Sequence, residues 1–219
     1  MCPDDDAYPV ARLSEKLPLP VLLWVLGEVA LLKASGVAIA GSRSAPDGVL
    51  GLASELAALI ARAGWNVVSG AAAGVDRAAH ASARQLGTTT AVLAEGVDRV
   101  KSAPWGGDGH ESALIVSGFD PGAAWTASRA MERNAHIAAL ADAVVIVAAG
   151  LSGGSWAQGQ LCLRARKRLL VFDLSPDIAP GNARLIAQGA TPISPDRLDH
   201  VLDQVTAGDV APAQLDMLG

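Results

Sequence analysis

Six short runs of small and β-branched residues recur along the chain: "VAIA" (37–40), "NVVS" (66–69), "TTAVL" (89–93), "ALIVS" (113–117), "AVVIVA" (143–148) and "LLVFD" (169–173). Both sets of alternating positions in them are apolar, the pattern of strands covered on two faces and therefore of a parallel sheet. Between the first two, "GVLGLASELAALIARAG" sets Leu52, Leu56, Leu59 and Ile60 at helical spacing and ends on Gly64, suited to a helix C-terminus. Stretches 76–87, 126–141 and 155–167 read as helices in the same way. Strand alternating with helix predicts an α/β fold: a doubly wound, mostly parallel, Rossmann-like sheet, with ligands beyond the carboxyl ends of its strands.

A chain of 219 residues, 51% apolar, is expected to make one domain. Residues 1–35 read as a lead-in packing on the core, 36–195 as the core itself and 196–219 as a short tail with at most one apolar helix. The net charge of −5 opposes a surface that is basic all over, while leaving room for a local positive pocket. Cys2 and Cys162 lack C-x-x-C spacing and read as reduced thiols of a cytosolic protein. The opening "MCPDDDAYPV" is acidic, and Gly27 and Glu28 break the apolar run "PVLLWVLGEVALLK". A cytoplasmic chain without a membrane partner is expected.

The loops that follow three of the strands share a composition. "AGSRS" (40–44), "SGAAAGVD" (69–76) and "AAGLSGGSWAQ" (148–158) are rich in Gly and Ser, and each precedes an expected helix N-terminus. Free backbone N–H groups there favour anions such as phosphate. In any single turn such glycines need only supply positive φ or close packing. Three such loops at one sheet edge favour an anion site. No G-x-x-x-x-G-K-[ST] is present, nor G-x-G-x-x-G with a following acid, so neither a Walker-type ATPase nor a dinucleotide redox enzyme is expected. No cofactor and no metal site is expected.

"VAIAGSRSA", "GWNVVSGAAAGVDRAAHASARQLGTTTAVLAEGVD", "MERNAHIAALADAVVIVAAGLSGGSWA" and "PGNARLIAQGA" resemble, in order and spacing, the core of the DNA-processing protein A family (DprA, also called Smf). The likeness runs from about Tyr8 to Ser194. It implies a Rossmann-like fold that binds single-stranded DNA in a positive pocket, as a homodimer, and passes the strand to a RecA-type recombinase without catalysis.

Carried onto this chain, the resemblance implies phosphate or nucleic-acid contacts from Gly41, Ser42 and Arg43, from Ser69, Gly70 and Gly74, from Arg133 and Asn134, and from Ser152, Gly153, Gly154, Ser155 and Trp156. A guanidinium such as that of Arg43 suits bidentate phosphate binding. Arg133 and Asn134 are expected at the start of a helix, with a surface pair to Glu132 or Asp142 as the alternative for Arg133. Asp76 is expected to cap its helix and His80 to pack. Trp156 either stacks on a base or packs the first turn of its helix. The cluster Arg164, Arg166, Lys167 and Arg168 falls at the opposite sheet edge, where cations complement a helix dipole.

Family positions that are commonly basic are Ala135 and Leu151 here, which implies fewer phosphate contacts and a weaker salt dependence. Two alternatives stand beside strand binding. One is a sensor domain of the same fold that binds a free nucleotide. The other, suggested by "RNAHIAALADA" and the following Gly-Gly, is a Lonely-guy-type phosphoribohydrolase acting on nucleoside monophosphates. Such an enzyme needs a carboxylate just beyond its glycine loop to stabilise the cationic sugar. Ala157, Gln158 and Gly159 stand there, and an amide carries no such charge.

Overall fold

The computed structural model describes residues 1–12, 14–106 and 111–206. An eight-stranded sheet is built from β1 (Trp24–Gly27), β2 (Gly36–Ala40), β3 (Asn66–Gly70), β4 (Thr89–Val92), β5 (Ala113–Ser117), β6 (Ala143–Ile146), β7 (Leu169–Phe172) and β8 (Thr191–Ile193). Their order is β1-β5-β4-β3-β2-β6-β7-β8. Only the edge strand β1 runs antiparallel, against β5; the other pairings are parallel. The six expected runs supply β2 to β7. β1 and β8 are additions at the two edges.

Among the described residues, six α-helices connect or cover the strands: α1 (Asp47–Arg62), α2 (Val75–Leu86), α3 (Ala127–Leu140), α4 (Gly154–Ala165), α5 (Pro180–Ala187) and α6 (Asp199–Thr206). The alternation within β2 shows how the sequence sets the layers. Val37 and Ile39 face one way and join Val49, Leu56 and Ile60 of α1, Val75 and Ala79 of α2, and Val201 of α6. Ala38 and Ala40 face the other way and join Ile137 and Leu140 of α3, Cys162 of α4 and Leu185 of α5. Each fully buried Leu, Ile or Val contributes about 1.5–3 kcal/mol relative to exposure, so both faces favour this arrangement over any register that turns one outward.

Helix α1 presents Val49, Ala53, Leu56 and Ile60 at intervals of three and four, and Gly64 follows it with φ +80°, as its place after the helix requires. In the tail, α6 is the expected short helix; residues 207–219 lie outside the described residues. Among the described residues, no helix is long and apolar enough to cross a membrane.

The chain reverses its winding between β2 and β6. From β2 it moves to β3 on one side, while β6, the other neighbour of β2, leads to β7 on the opposite side. At such a switch point the loops beyond the strand ends diverge and leave a crevice. The three glycine-rich loops follow β2, β3 and β6, the strands that flank this point.

Candidate functional site

A cleft of about 660 Å³ opens beyond the carboxyl ends of these strands. Gly41 and Arg43 line it from the first loop, Gly70, Ala72 and Asp76 from the second, and Leu151 through Trp156 from the third; Arg133 and Asn134 line it from α3. Ser42, Ser69 and Gly74 serve the loops from behind. Ser69 donates from its hydroxyl to the Ile39 carbonyl at 2.6 Å, and the Ser42 carbonyl accepts from Val75 N–H at 3.2 Å. Gly74 has φ +74° and ψ −128° and lies against the Ser42 and Arg43 carbonyls, so it locks the first loop to the second.

Two helices aim their first turns into this region without side-chain caps, α2 from Gly74 and α4 from Gly153. First-turn amides have no partner within their own helix, so they concentrate donors and positive potential beside the cleft. The third loop is held by Asn182, fully buried in α5. Its Oδ1 accepts from Ala149 N–H at 2.8 Å, and its Nδ2 donates to the carbonyls of Val147 (2.9 Å) and Phe172 (2.8 Å). Sequence gives no sign of this role, since the partners of Asn182 lie in other segments.

Arg133 is not at the start of a helix as expected but midway along α3, and it is buried at 6% exposure. Nor does it pair with Glu132 or Asp142. Asp142 instead meets Arg12 at 3.3 Å, while Nη1 of Arg133 donates to the Val92 carbonyl at 2.8 Å. Facing it across Gly70 is Asp76: a methyl on Gly70 would overlap Nη1 and lie 2.5 Å from Asp76 Oδ2. Asp76 does not cap α2, since it lies inside the first turn and its Oδ2 accepts from Ala72 N–H at 3.4 Å. Burial pushes the Asp76 carboxyl up to about 6 against the pull of Arg133, and burial likewise lowers the Arg133 guanidinium.

His80 is a structural support of the second loop. Its Nε2 lies 2.6 Å from the Gly70 carbonyl and its Nδ1 2.7 Å from the Thr89 hydroxyl. A carbonyl only accepts, so Nε2 carries the proton, while the Thr89 hydroxyl beside Nδ1 donates to the Val67 carbonyl at 2.9 Å. Burial draws His80 down to about 4, and His136, buried on α3, down to about 4 as well.

These values fix a pH dependence of stability. Both histidines stay neutral in the fold to about pH 4, whereas the unfolded chain protonates them below about 6.5, so their contribution is lost as pH falls through that window. Asp76 acts oppositely. Its folded value is raised, so its contribution is present at low pH and lost as pH rises through about 6. At roughly 3 kcal/mol per group, two against one predicts a net loss of about 3–4 kcal/mol between pH 7 and pH 4. Urea denaturation at the two pH values measures this. A protein that gains stability on acidification would contradict the buried, neutral histidines.

The rim is apolar at Leu151, where a basic side chain was expected to be missing: Leu151 is half exposed, and with it Met131 and Trp125 at 48%. Nothing in the sequence around Trp125 marks it as a site residue. The Arg43 guanidinium lies over its ring at 5.6 Å from the centroid, a cation–π contact that orients the cation at the mouth. Trp156 combines the two positions weighed for it, lining the cleft while its half-buried ring packs on the core. The cluster at 164–168 lies at the other sheet edge, where Arg168 donates to the carbonyls of Gln204 and Val205. Among the described residues, no three His, Cys, Asp or Glu gather as metal ligands.

Known proteins share this architecture. The family model for "DNA recombination-mediator protein A" matches residues 1–206. A relative from Mycobacterium tuberculosis (strain CDC 1551 / Oshkosh), named for DprA-type DNA processing, is 36% identical over 174 residues, 70% of this chain and 43% of that protein. The chain spans about half the length of the curated relatives it matches. The X-ray structure of DNA processing protein A from Streptococcus pneumoniae superposes with TM-score 0.78 at 25% identity, over 93% of this chain and 73% of that one. DNA processing protein A from Helicobacter pylori, solved for its single-stranded DNA binding mode, gives TM-score 0.76 at 23% identity, over 88% of this chain and 92% of its own.

Proposed function

We propose that this chain, which belongs to the DNA recombination-mediator protein A family, binds single-stranded DNA in the cleft between its three glycine-rich loops and acts in DNA processing and recombination. The observation that carries the reading is the convergence of two uncapped helix N-termini with Arg43, held over the exposed ring of Trp125, at the switch point of the sheet. The helix ends and Arg43 take backbone phosphates, and the indole offers a stacking surface to a base. The H. pylori relative's single-stranded DNA binding mode supports the same ligand class.

In this reading the protein binds and does not catalyse. Gln158 occupies the place where a phosphoribohydrolase needs a carboxylate, and its amide cannot stabilise a cationic sugar. Delivery of the strand to a RecA-type recombinase, assembly as a homodimer and a cytoplasmic location complete the proposal.

Fluorescence anisotropy of a labelled oligo-dT strand tests it, with duplex DNA and free mononucleotides as competitors. Saturable binding that is displaced by neither supports the proposal. Binding of a mononucleotide without binding of the strand would overturn it in favour of a nucleotide sensor.

A further inference from the structure

Two buried polar atoms without partners belong to residues lining the cleft: Oε1 of Gln158 and Nε of Arg133. Gln158 is 1% exposed and Arg133 6%. The orientation of the Gln158 amide is fixed by its surroundings. Its Nε2 donates to the Asn134 carbonyl at 3.0 Å, an acceptor only, so the oxygen is the atom left over. On Arg133, Nη1 donates to the Val92 carbonyl, and Nε–H is buried without a partner. Buried polar atoms without partners are rare, and in a cleft they mark where a ligand completes the hydrogen bonding.

From this pair we propose that the floor of the cleft reads the edge of one unpaired nucleobase, with Gln158 Oε1 accepting an N–H from the base and Arg133 Nε donating to a base acceptor. The proposal rests on the strand-binding reading. Trp156 and Trp125 line the same cleft and supply aromatic walls for the seated ring. Each of the four bases has an N–H and an acceptor on its Watson–Crick edge, so the floor does not choose strongly among them. It selects instead for an unpaired strand, because in a duplex that edge is already occupied by the complementary base.

The test compares three labelled strands of equal length on the wild-type protein: oligo-dT, an abasic strand with the same phosphates, and a strand of 3-methylthymine, which keeps the ring but lacks its N–H. The abasic strand is expected to bind about tenfold more weakly than oligo-dT, and the methylated strand severalfold more weakly. Gln158→Met, which keeps the side chain's length and removes the acceptor, is expected to weaken oligo-dT severalfold and to leave the abasic strand unchanged. Equal binding of oligo-dT and the methylated strand would overturn the base-reading floor while leaving strand binding intact. Failure of all three strands to bind would overturn the strand-binding reading itself. Should Gln158→Met melt at a much lower temperature, the wild-type comparison alone decides.

Discussion

Arg133→Ala is expected to lower the stability of the protein by about 3–5 kcal/mol, the cost of breaking a buried charge pair by removing one partner, and to reduce strand affinity at least about tenfold. Both effects come from one position. The guanidinium is the main charge that offsets the buried carboxylate of Asp76, and it satisfies the Val92 carbonyl at the end of β4. Alanine leaves Asp76 ionised in a dry site at neutral pH and takes a cation from the cleft. Asp76 escapes by taking up a proton, and its carboxyl, already raised to about 6, moves higher. A raised carboxyl contributes stability that is lost as pH rises, so the defect should be larger at pH 7.5 than at pH 5.5. Adding Asp76→Ala should recover part of the loss, since a close pair is not additive. Urea denaturation of the single and double variants at both pH values checks this, and a defect that is independent of pH and unrelieved by Asp76→Ala would show that the two groups are not coupled.

The second large effect is expected at Gly74. Its φ of +74° with ψ −128° is a conformation open in practice to glycine alone. A methyl there would lie 2.6 Å from the Arg43 carbonyl oxygen and closer still to that of Ser42. Neither obstacle is a mobile side-chain tip; both are backbone of the first loop. Gly74→Ala therefore combines backbone strain of roughly 1–3 kcal/mol with overpacking of roughly 1–3 kcal/mol. Together these give about 3–5 kcal/mol, a large part of the 5–15 kcal/mol typical of a domain. The first loop should be driven off the second, carrying Arg43 away from the cleft. Loss of strand binding together with a lowered denaturation midpoint is the expected result. A variant with wild-type stability would contradict the contact between the loops.

The central strands were legible because their residues are apolar on both alternations, and runs so short between turn residues suit strands buried on two faces. The edge strands were not. "WVLG" is four residues ending in glycine and "TPI" is three with a proline at the centre, and each becomes a strand only because a neighbour is there to pair with it. Helix α5 was not among the expected helices, because it is short and opens on Pro180-Gly181, of which Gly181 packs closely on the Gly150 carbonyl.

At the site, the loops announced themselves by composition, since glycine-rich turns before helices have a backbone purpose. The side chains that complete it did not. Gln158 gains its meaning from the carbonyl of Asn134, Asn182 from those of Val147 and Phe172, and Arg133 from that of Val92, all of them distant in sequence. Trp125 precedes α3 in a segment without periodicity, and only the fold brings it beneath Arg43.

The most direct test of a strand bound at this cleft is the salt dependence of oligo-dT affinity for the wild-type protein and for Arg43→Ala, plotted as log Kd against log salt concentration. Arg43 lines the mouth, where its guanidinium packs on the exposed Trp125 ring and offsets the Asp76 carboxylate less than Arg133 does, so its loss should leave the fold intact. The account predicts weaker binding by Arg43→Ala and a slope shallower by about one, the signature of one lost phosphate contact. Equal affinity and equal slope in the two proteins would place the strand elsewhere and contradict it.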